Sequence, residues 1–314
     1  MSSLDLLSIG SWTVFDHILR MERLPADGET VPLDMPIGAI DTIHYGDCSA
    51  NIAAAAARLG LKTGLAMVVG DDFETSGYRA HLEMLGVDIS PIEIRAGERS
   101  GHSFNFFDRA NGSFCVSHLG IAADQSGFRA PLDRVAAARA LVVSEMFSPY
   151  TLSAIEHARA HGRLTAINGM VATARELAER FLAAADILFL SRGEAADLLE
   201  ARGFDDPSGV LALGPRLVVV TEGSAGSLWY EADGVTRVPA VSTTRFVDST
   251  GAGDSFVAGA LFGLLRGMPV AAAGRCAATV ASFVVEAWGC QTNLPVEAEM
   301  RERYRAAFGE LTLP

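Results

Sequence analysis

Lysine is almost missing from this chain. Of its 25 basic residues one is a lysine, Lys62, and the rest are arginines. A Walker A loop needs a lysine at the end of a glycine-rich turn. Lys62 follows Leu61 with no such turn before it, so a P-loop is excluded, and the signature segments of protein kinases are absent too. Positive charge as a whole is short. Against the 25 basic residues stand 38 acidic ones, for a net charge of −13, which gives a nucleic-acid backbone nothing to hold. Cysteine is sparse, with Cys48, Cys115, Cys276 and Cys290 and no C-x-x-C pair. In a chain of this length these read as reduced thiols of a cytosolic protein. The segment Met1 to Asp5 has no basic region of the kind that opens a secretory signal. No apolar run is long enough and free enough of charge to cross a bilayer. The expectation is a cytoplasmic enzyme with no nucleic-acid or membrane partner.

What is present is a large apolar fraction, 49%, in 314 residues, enough for a substantial core. Short apolar runs alternate with helical patterns. Leu4 to Gly10 predicts a buried strand, Ser49 to Arg58 an Ala-rich helix with Gly60 at its C-terminal cap, and Leu65 to Val69 a second strand closed by Gly70. A helix from Ser76 to Leu85 stops at Gly86. The alternation resumes with strands at Leu141 to Val143, Thr165 to Asn168, Ile187 to Leu190 and Leu217 to Thr221. Helices are expected at Thr151 to Ala160, Ala172 to Ala184, Asp254 to Arg266 and Val270 to Glu286. Strands alternating with helices predict an α/β fold whose parallel sheet is covered on both faces. Two stretches depart from this. Ser103 to His118 alternates Phe104, Phe106, Phe114 and Val116 around a turn-rich tip, Asp108 to Ser113, and Ser11 to Tyr45 has prolines and glycines but no helical period. Both are read as strands of a small β-lid. The lid phenylalanines are expected to be partly core and partly pocket wall.

The most informative string is Asp248-Ser249-Thr250-Gly251-Ala252-Gly253-Asp254-Ser255-Phe256, which leads into a long apolar helix. Glycines around a small alanine let bare N–H groups approach an anion, and the helix N-terminus points partial positive charge at the same place. Gly251, Ala252 and Gly253 are the candidate anion cradle. Aspartate there is a poor anion ligand but a good base, so Asp254 can take a proton from a hydroxyl beside a transferring phosphoryl group. Phe256 stands where a dinucleotide fingerprint would have its third glycine.

With Tyr45-Gly46-Asp47-Cys48-Ser49-Ala50-Asn51 near the N-terminus, this string resembles the ribokinase-like (PfkB) family of carbohydrate kinases. That family usually opens the N-terminal motif with two glycines, and the first is read here as Tyr45. Leu24 to Glu29, Val69 to Asp72 and Leu85 to Asp88 are also similar to family segments. The resemblance implies a single kinase domain over residues 1–314, a three-layer α/β/α sandwich with lid strands within 11–45 and 100–118. It implies transfer of the γ-phosphoryl group of ATP to a hydroxyl of a sugar or sugar derivative. It assigns substrate contacts to Asp16, Gly46 and Asn51 and the nucleotide loop to Thr221, Gly223 and Gly226. Glu194 would organise Mg²⁺ through water, with Ser191 in place of the family's asparagine. Asp248 and the loop Gly289 to Asn293 resemble a monovalent-cation site, for K⁺. An aromatic lid (Trp12, Phe15, Phe104, Phe106) and Tyr45 would also suit a flat base, so a nucleoside kinase is the second reading. A silent sugar-binding protein is a third, and the intact Asp254 argues against it. Cys48 is assigned to packing. The apolar face of the lid hairpin predicts a homodimer through the lid.

Overall fold

The computed structural model describes residues 3–110, 112–243 and 245–311. Asn111, in the expected hairpin tip, lies outside them. The strands in the first half are β1 (Leu6–Ile9), β2 (Phe15–Arg20), β3 (His44–Tyr45), β4 (Thr63–Ala66), β5 (Val68–Gly70), β6 (Glu93–Arg95), β7 (His102–Phe107) and β8 (Ser113–His118). The second half adds β9 (Ala140–Ser144), β10 (Leu164–Asn168), β11 (Ile187–Ser191), β12 (Leu217–Thr221), β13 (Ser227–Glu231) and β14 (Gly234–Val238).

Among the described residues an eight-stranded sheet runs in the order β14-β13-β12-β11-β10-β9-β1-β4. The six strands from β12 to β4 are parallel, and β13 and β14 extend the edge antiparallel. Side chains of a strand alternate between its two faces, and both faces are apolar here. Leu6, Val142, Phe189 and Val219 face one core, packed beneath the Cys48–Arg58, Ala252–Leu265 and Val270–Val284 helices. Their neighbours Leu7, Val143, Leu188 and Val218 face the other, with Ile155, Phe181 and Leu198 of the opposite helices. Burial on both sides accounts for the continuous apolar runs and yields the three-layer α/β/α sandwich.

The expected strand Leu65 to Val69 is in fact two. It breaks at Met67, with β4 joining β1 and β5 leaving to pair with β6. Both pieces are buried, so periodicity could not show the break. The expected helix Ala172 to Ala184 is a 3₁₀ segment, Val171–Leu177, followed by an α-helix, Ala178–Ala184, with Arg175 at φ +51 just before the junction. Strands β13 and β14 and the Glu297–Phe308 helix had no counterpart in the sequence reading.

A separate four-stranded sheet, β3-β2-β7-β8, stands beside the main one. Its register fixes which side chains share a face. Asp16 pairs with Ser103, while His17 pairs with Phe104 and Phe104 with Val116. Asp16 and Ser103 face the body, as does Arg20, whose guanidinium lies 5.0 Å over the Trp288 ring. Phe104, Phe106, Phe114 and Val116 therefore turn the other way. Phe104 stacks on His17 and Phe106 on Phe114, each pair 4.6 Å between ring centres. The expectation that these phenylalanines wall the pocket is corrected: the inward face is the polar one.

Candidate active site

The parallel strands all end at one edge of the sheet, so residues at and just past their carboxyl ends converge there. Glu145 follows β9, Asn168 closes β10, Ser191 closes β11 and Thr221 closes β12. The Ala252–Leu265 helix points its N-terminus into the same crevice. Its cap, Gly251, has φ +76, a left-handed conformation that favours glycine. A Cβ there would also lie 2.6 Å from Cβ of Cys290. Gly251, Ala252 and Gly253 thus form a close-packed turn with no side chain larger than a methyl group.

Asp254, in the first turn of this helix, is 5% exposed. Asn51 Nδ2 donates to its Oδ2 at 2.9 Å and Asn168 Nδ2 to its Oδ1 at 3.0 Å. Burial raises its pKa well above the usual carboxylate range, and the Glu145 carboxylate adds to this; the Asn51 amide and the Cys48 thiol pull it back. Two amide donors fix the carboxylate in place, and the raised pKa makes it a stronger proton acceptor than a solvated aspartate.

Asp16 lies on β2 with its carboxylate packed against Gly46. A Cβ on Gly46 would fall 2.3 Å from Asp16 Oδ2, so glycine is required for close approach. Ser103 Oγ donates to Asp16 Oδ1, and Cys290 Sγ to Oδ2 at 3.4 Å. Burial carries the Asp16 pKa up to about 6. Asn51, in the helix beginning at Cys48, bonds to Asp254, while Asp16 packs on Gly46, whose carbonyl is tied through Tyr78 and Gln291 to Asn51.

The N-terminal motif departs from two glycines at a different place than the sequence reading put it. Asp47 has φ +72, the conformation glycine tolerates best. Its side chain offsets that strain by accepting hydrogen bonds from Trp12 N at 2.7 Å and Ser49 N at 2.8 Å, and from the Ser49 hydroxyl. Tyr45 stacks on Tyr78 with ring centres 4.3 Å apart, and its hydroxyl donates to Ser76 O at 2.8 Å. It packs against the body instead of presenting a face to a flat ligand.

Two cavities adjoin the turn before Asp254. One, of about 220 Å³, is lined by Cys48, Glu145, Asn168, Glu194 and Asp254 together with Gly251 and Gly253. The other, of about 540 Å³, is lined by Thr221, Gly223, Gly226, Phe246, Ala252 and Val285 among others. They share Thr221, Gly253 and Phe256, so a ligand in the larger space can extend one end toward Asp254. A few hundred cubic ångströms, walled by apolar groups and backbone, suits a nucleotide. Gly226 has φ +99, and a Cβ there would meet Val238 O at 2.2 Å, which keeps this wall bare.

Glu194 borders the smaller cavity, but its carboxylate also caps its own helix, accepting from Ser191 N at 2.6 Å. Asp248 lines neither cavity. It is 2% exposed and ties two loops together, accepting from Thr250 N at 2.9 Å and Gly289 N at 3.1 Å.

Residues 11–297 match the family described as pfkB family carbohydrate kinase. The chain belongs to that family. It is 33% identical to a nucleoside kinase of Methanothermobacter thermautotrophicus over 308 residues, 97% of each chain. It is 28% identical to a deoxyribokinase of Salmonella typhimurium, over 95% of this chain and 98% of that one. The crystal structure of Methanocaldococcus jannaschii nucleoside kinase superposes with a TM-score of 0.83 at 25% identity, covering 98% of this chain and 100% of that one. The protein is accordingly a phosphotransferase with an alcohol group as acceptor, a kinase of sugars or nucleosides, and ATP is the donor its family implies.

In this kinase two polar residues beside Asp254 escaped sequence reasoning, Glu145 and Asn168, and Gln291, in the loop read as part of a cation site, bonds instead to Asn51. Glu145 stands two residues past the predicted strand Leu141 to Val143, and Asn168 is the last residue of the predicted strand Thr165 to Asn168, so both lie at the strand ends where ligands gather. Burial raises Glu145 to about 7, with the carboxylates of Asp47, Glu194 and Asp16 adding to the rise and a Cys48 hydrogen bond opposing it. Cys48 is more than packing: it lines the cavity beside Asp254.

Proposed function

We propose that this kinase transfers the γ-phosphoryl group of ATP to the primary hydroxyl of a nucleoside, with Asp254 as general base. The observation that carries the reading is the pairing of a buried, amide-held Asp254 with the bare turn Gly251 to Gly253 at a helix N-terminus. The alcohol gives its proton to Asp254 as its oxygen bonds to phosphorus, and the bond to the leaving ADP breaks. N–H groups of the turn face the charge that develops on the phosphoryl oxygens. Asp16 and Asn51 suit the neighbouring hydroxyls of a ribose, a carboxylate and an amide offering acceptors and a donor together. The nucleoside, in place of a free sugar, is supported by the Methanothermobacter relative, which matches over 97% of both chains.

Glu194 and Glu145 are hard oxygen donors on the smaller cavity and fit a Mg²⁺ ion that keeps part of its water shell. Mg²⁺ would supply charge neutralisation on the ATP phosphates. Asp248 Oδ1 accepts from both the Thr250 N–H and the Thr250 hydroxyl, whereas Oδ2 accepts only from Gly289 N and keeps a lone pair that is compatible with K⁺ behind the anion cradle. One assay tests this set: ADP release with nucleosides and with free pentoses and hexoses. Nucleosides should give kcat/KM about tenfold or more above any free sugar; turnover of free sugars alone would overturn the nucleoside. Chelating Mg²⁺ should abolish turnover, and K⁺ should raise it above tetramethylammonium at equal ionic strength. Equal rates in the two salts would remove the cation from Asp248.

The outward face of the smaller sheet supports a homodimer, with that sheet serving as the lid over the acceptor. Phe114 is 41% and Val116 54% exposed beside Phe104 and Phe106, an apolar patch on a strand edge that invites a matching one. Light scattering should give twice the 33.2 kDa chain mass, and Val116→Asp should halve it. A mass of one chain for the unmodified protein would refute the dimer.

A further inference from the structure

Gln291 lies in the loop after the Val270–Val284 helix, is 7% exposed and lines neither cavity. Its side-chain amide is fully engaged. Nε2 donates to Asn51 Oδ1 at 2.9 Å and to Tyr78 Oη at 2.7 Å, and Oε1 lies 3.1 Å from His81 Nε2. These partners leave one consistent assignment. Since the Gln291 nitrogen donates twice, its oxygen faces His81, and His81 Nε2 must carry the proton. Since Asn51 accepts through Oδ1, its nitrogen is turned to Asp254. The donors then run in one direction: His81 to Gln291, Gln291 to Asn51, Asn51 to Asp254. Reversing the Asn51 amide would set its oxygen against the Asp254 carboxylate and its nitrogen against Gln291 Nε2, leaving buried polar atoms without partners. The same Gln291 amide holds Tyr78, whose hydroxyl donates to Gly46 O at 2.7 Å. One side chain outside the site thus fixes both the amide and the backbone turn that face the acceptor.

We propose that Gln291 is a positioning residue for the kinase reaction, acting through Asn51 to orient the acceptor and Asp254. The proposal rests on Asp254 being the base. It predicts a signature that loss of packing alone would not give. Gln291→Met keeps length and removes both donors. It should lower kcat/KM for the acceptor about tenfold or more while leaving KM for ATP within about twofold, because the larger cavity does not touch Gln291. The acid limb of kcat should also move to higher pH, since a less firmly held Asn51 amide no longer opposes protonation of Asp254. The other ionisable groups that face Asp254, Glu145, Asp47 and Cys48, are unchanged in this variant.

The deciding experiment is a double-mutant cycle with Asn51→Ala, measured with Asp254 intact. If Gln291 works through Asn51, Gln291→Met should cost no more than about twofold in the Asn51→Ala background. Additive losses with an unmoved acid limb would overturn the proposal. Should Gln291→Met fail to fold, Gln291→Glu keeps the size and still cannot donate to Asn51, and should show the same loss and the same shift. An active Asp254→Asn enzyme would instead overturn the base, whatever the cycle gives.

Discussion

Asp254→Asn should lower kcat by about two orders of magnitude or more, the range for removing a general base, with KM for ATP unchanged within about twofold. Asparagine has the size of aspartate and keeps a polar group between Asn51 and Asn168, but it cannot take the acceptor's proton. Steady-state kinetics on the purified variant, with a melting curve to confirm folding, decides it. The outcome is informative because the crevice holds a second candidate. Glu145 faces the same cavity as Asp254 and has a pKa carried to about 7. Only Asp254 stands in the first turn of the helix whose N-terminus cradles the anion. A variant retaining most of its activity would pass the role to Glu145.

Glu145→Gln should change how stability depends on pH. The carboxyl of Glu145 has an ordinary value of 4.5 and about 7 in the folded chain. A group that binds its proton more tightly when folded stabilises the fold fully below its unfolded value, and that contribution is lost as pH rises through the folded value. Asp16, carried from 3.8 to about 6, acts in the same direction. The wild-type melting temperature should therefore fall between about pH 5 and pH 8. Glutamine stays neutral throughout, so the variant should fall less steeply. At the upper end it should be the more stable protein by up to about 3 kcal/mol, less whatever water in the cavity screens. Thermal unfolding of both proteins across this range is the measurement. Parallel curves would mean that Glu145 ionises as freely in the folded chain as in water.

What the sequence could reveal depended on how local the structure is. The turn Gly251 to Gly253 and the buried carboxylate of Asp254 beside it are made by one short string that builds its own geometry, so their placement was legible. Asp16 and Asn51 were reached through motifs of similar compactness. Glu145 and Asn168 come from distant places and meet beside Asp254 because the strands are parallel and end at one edge, while Gln291 reaches Asn51 from a loop after a helix. No local pattern records that. The smaller sheet shows a second limit. Alternation separated Phe104 and Phe106 from Ser103, but two faces alone do not say which one points inward. That is decided by the pairing of Asp16 with Ser103 and by Arg20 over Trp288. Asp47 is a third case: its positive φ is affordable only through the bonds to Trp12 and Ser49, contacts that a glycine-based motif gives no reason to expect.

Asp16 rides on β2 of the smaller sheet, whereas Asn51 and Asp254 stand on helices packed against the larger one. Strands β2 and β7 are parallel, and parallel neighbours cannot be joined by a tight hairpin. The chain leaves the flap after β3 and re-enters it at β7, with Gly46 N bonded to Val14 O and Val14 N to Gly101 O at the shared base. A sheet moored at several points along one edge tilts as a plate and does not peel strand by strand. Gly46 follows β3 of that same sheet, so an outward tilt would carry Asp16 and Gly46 together, away from Asn51 and Asp254. Under the proposed function, admission of a fresh alcohol and departure of the phosphorylated one would share that one movement, and a half-open enzyme would have its acceptor ligands and its base apart.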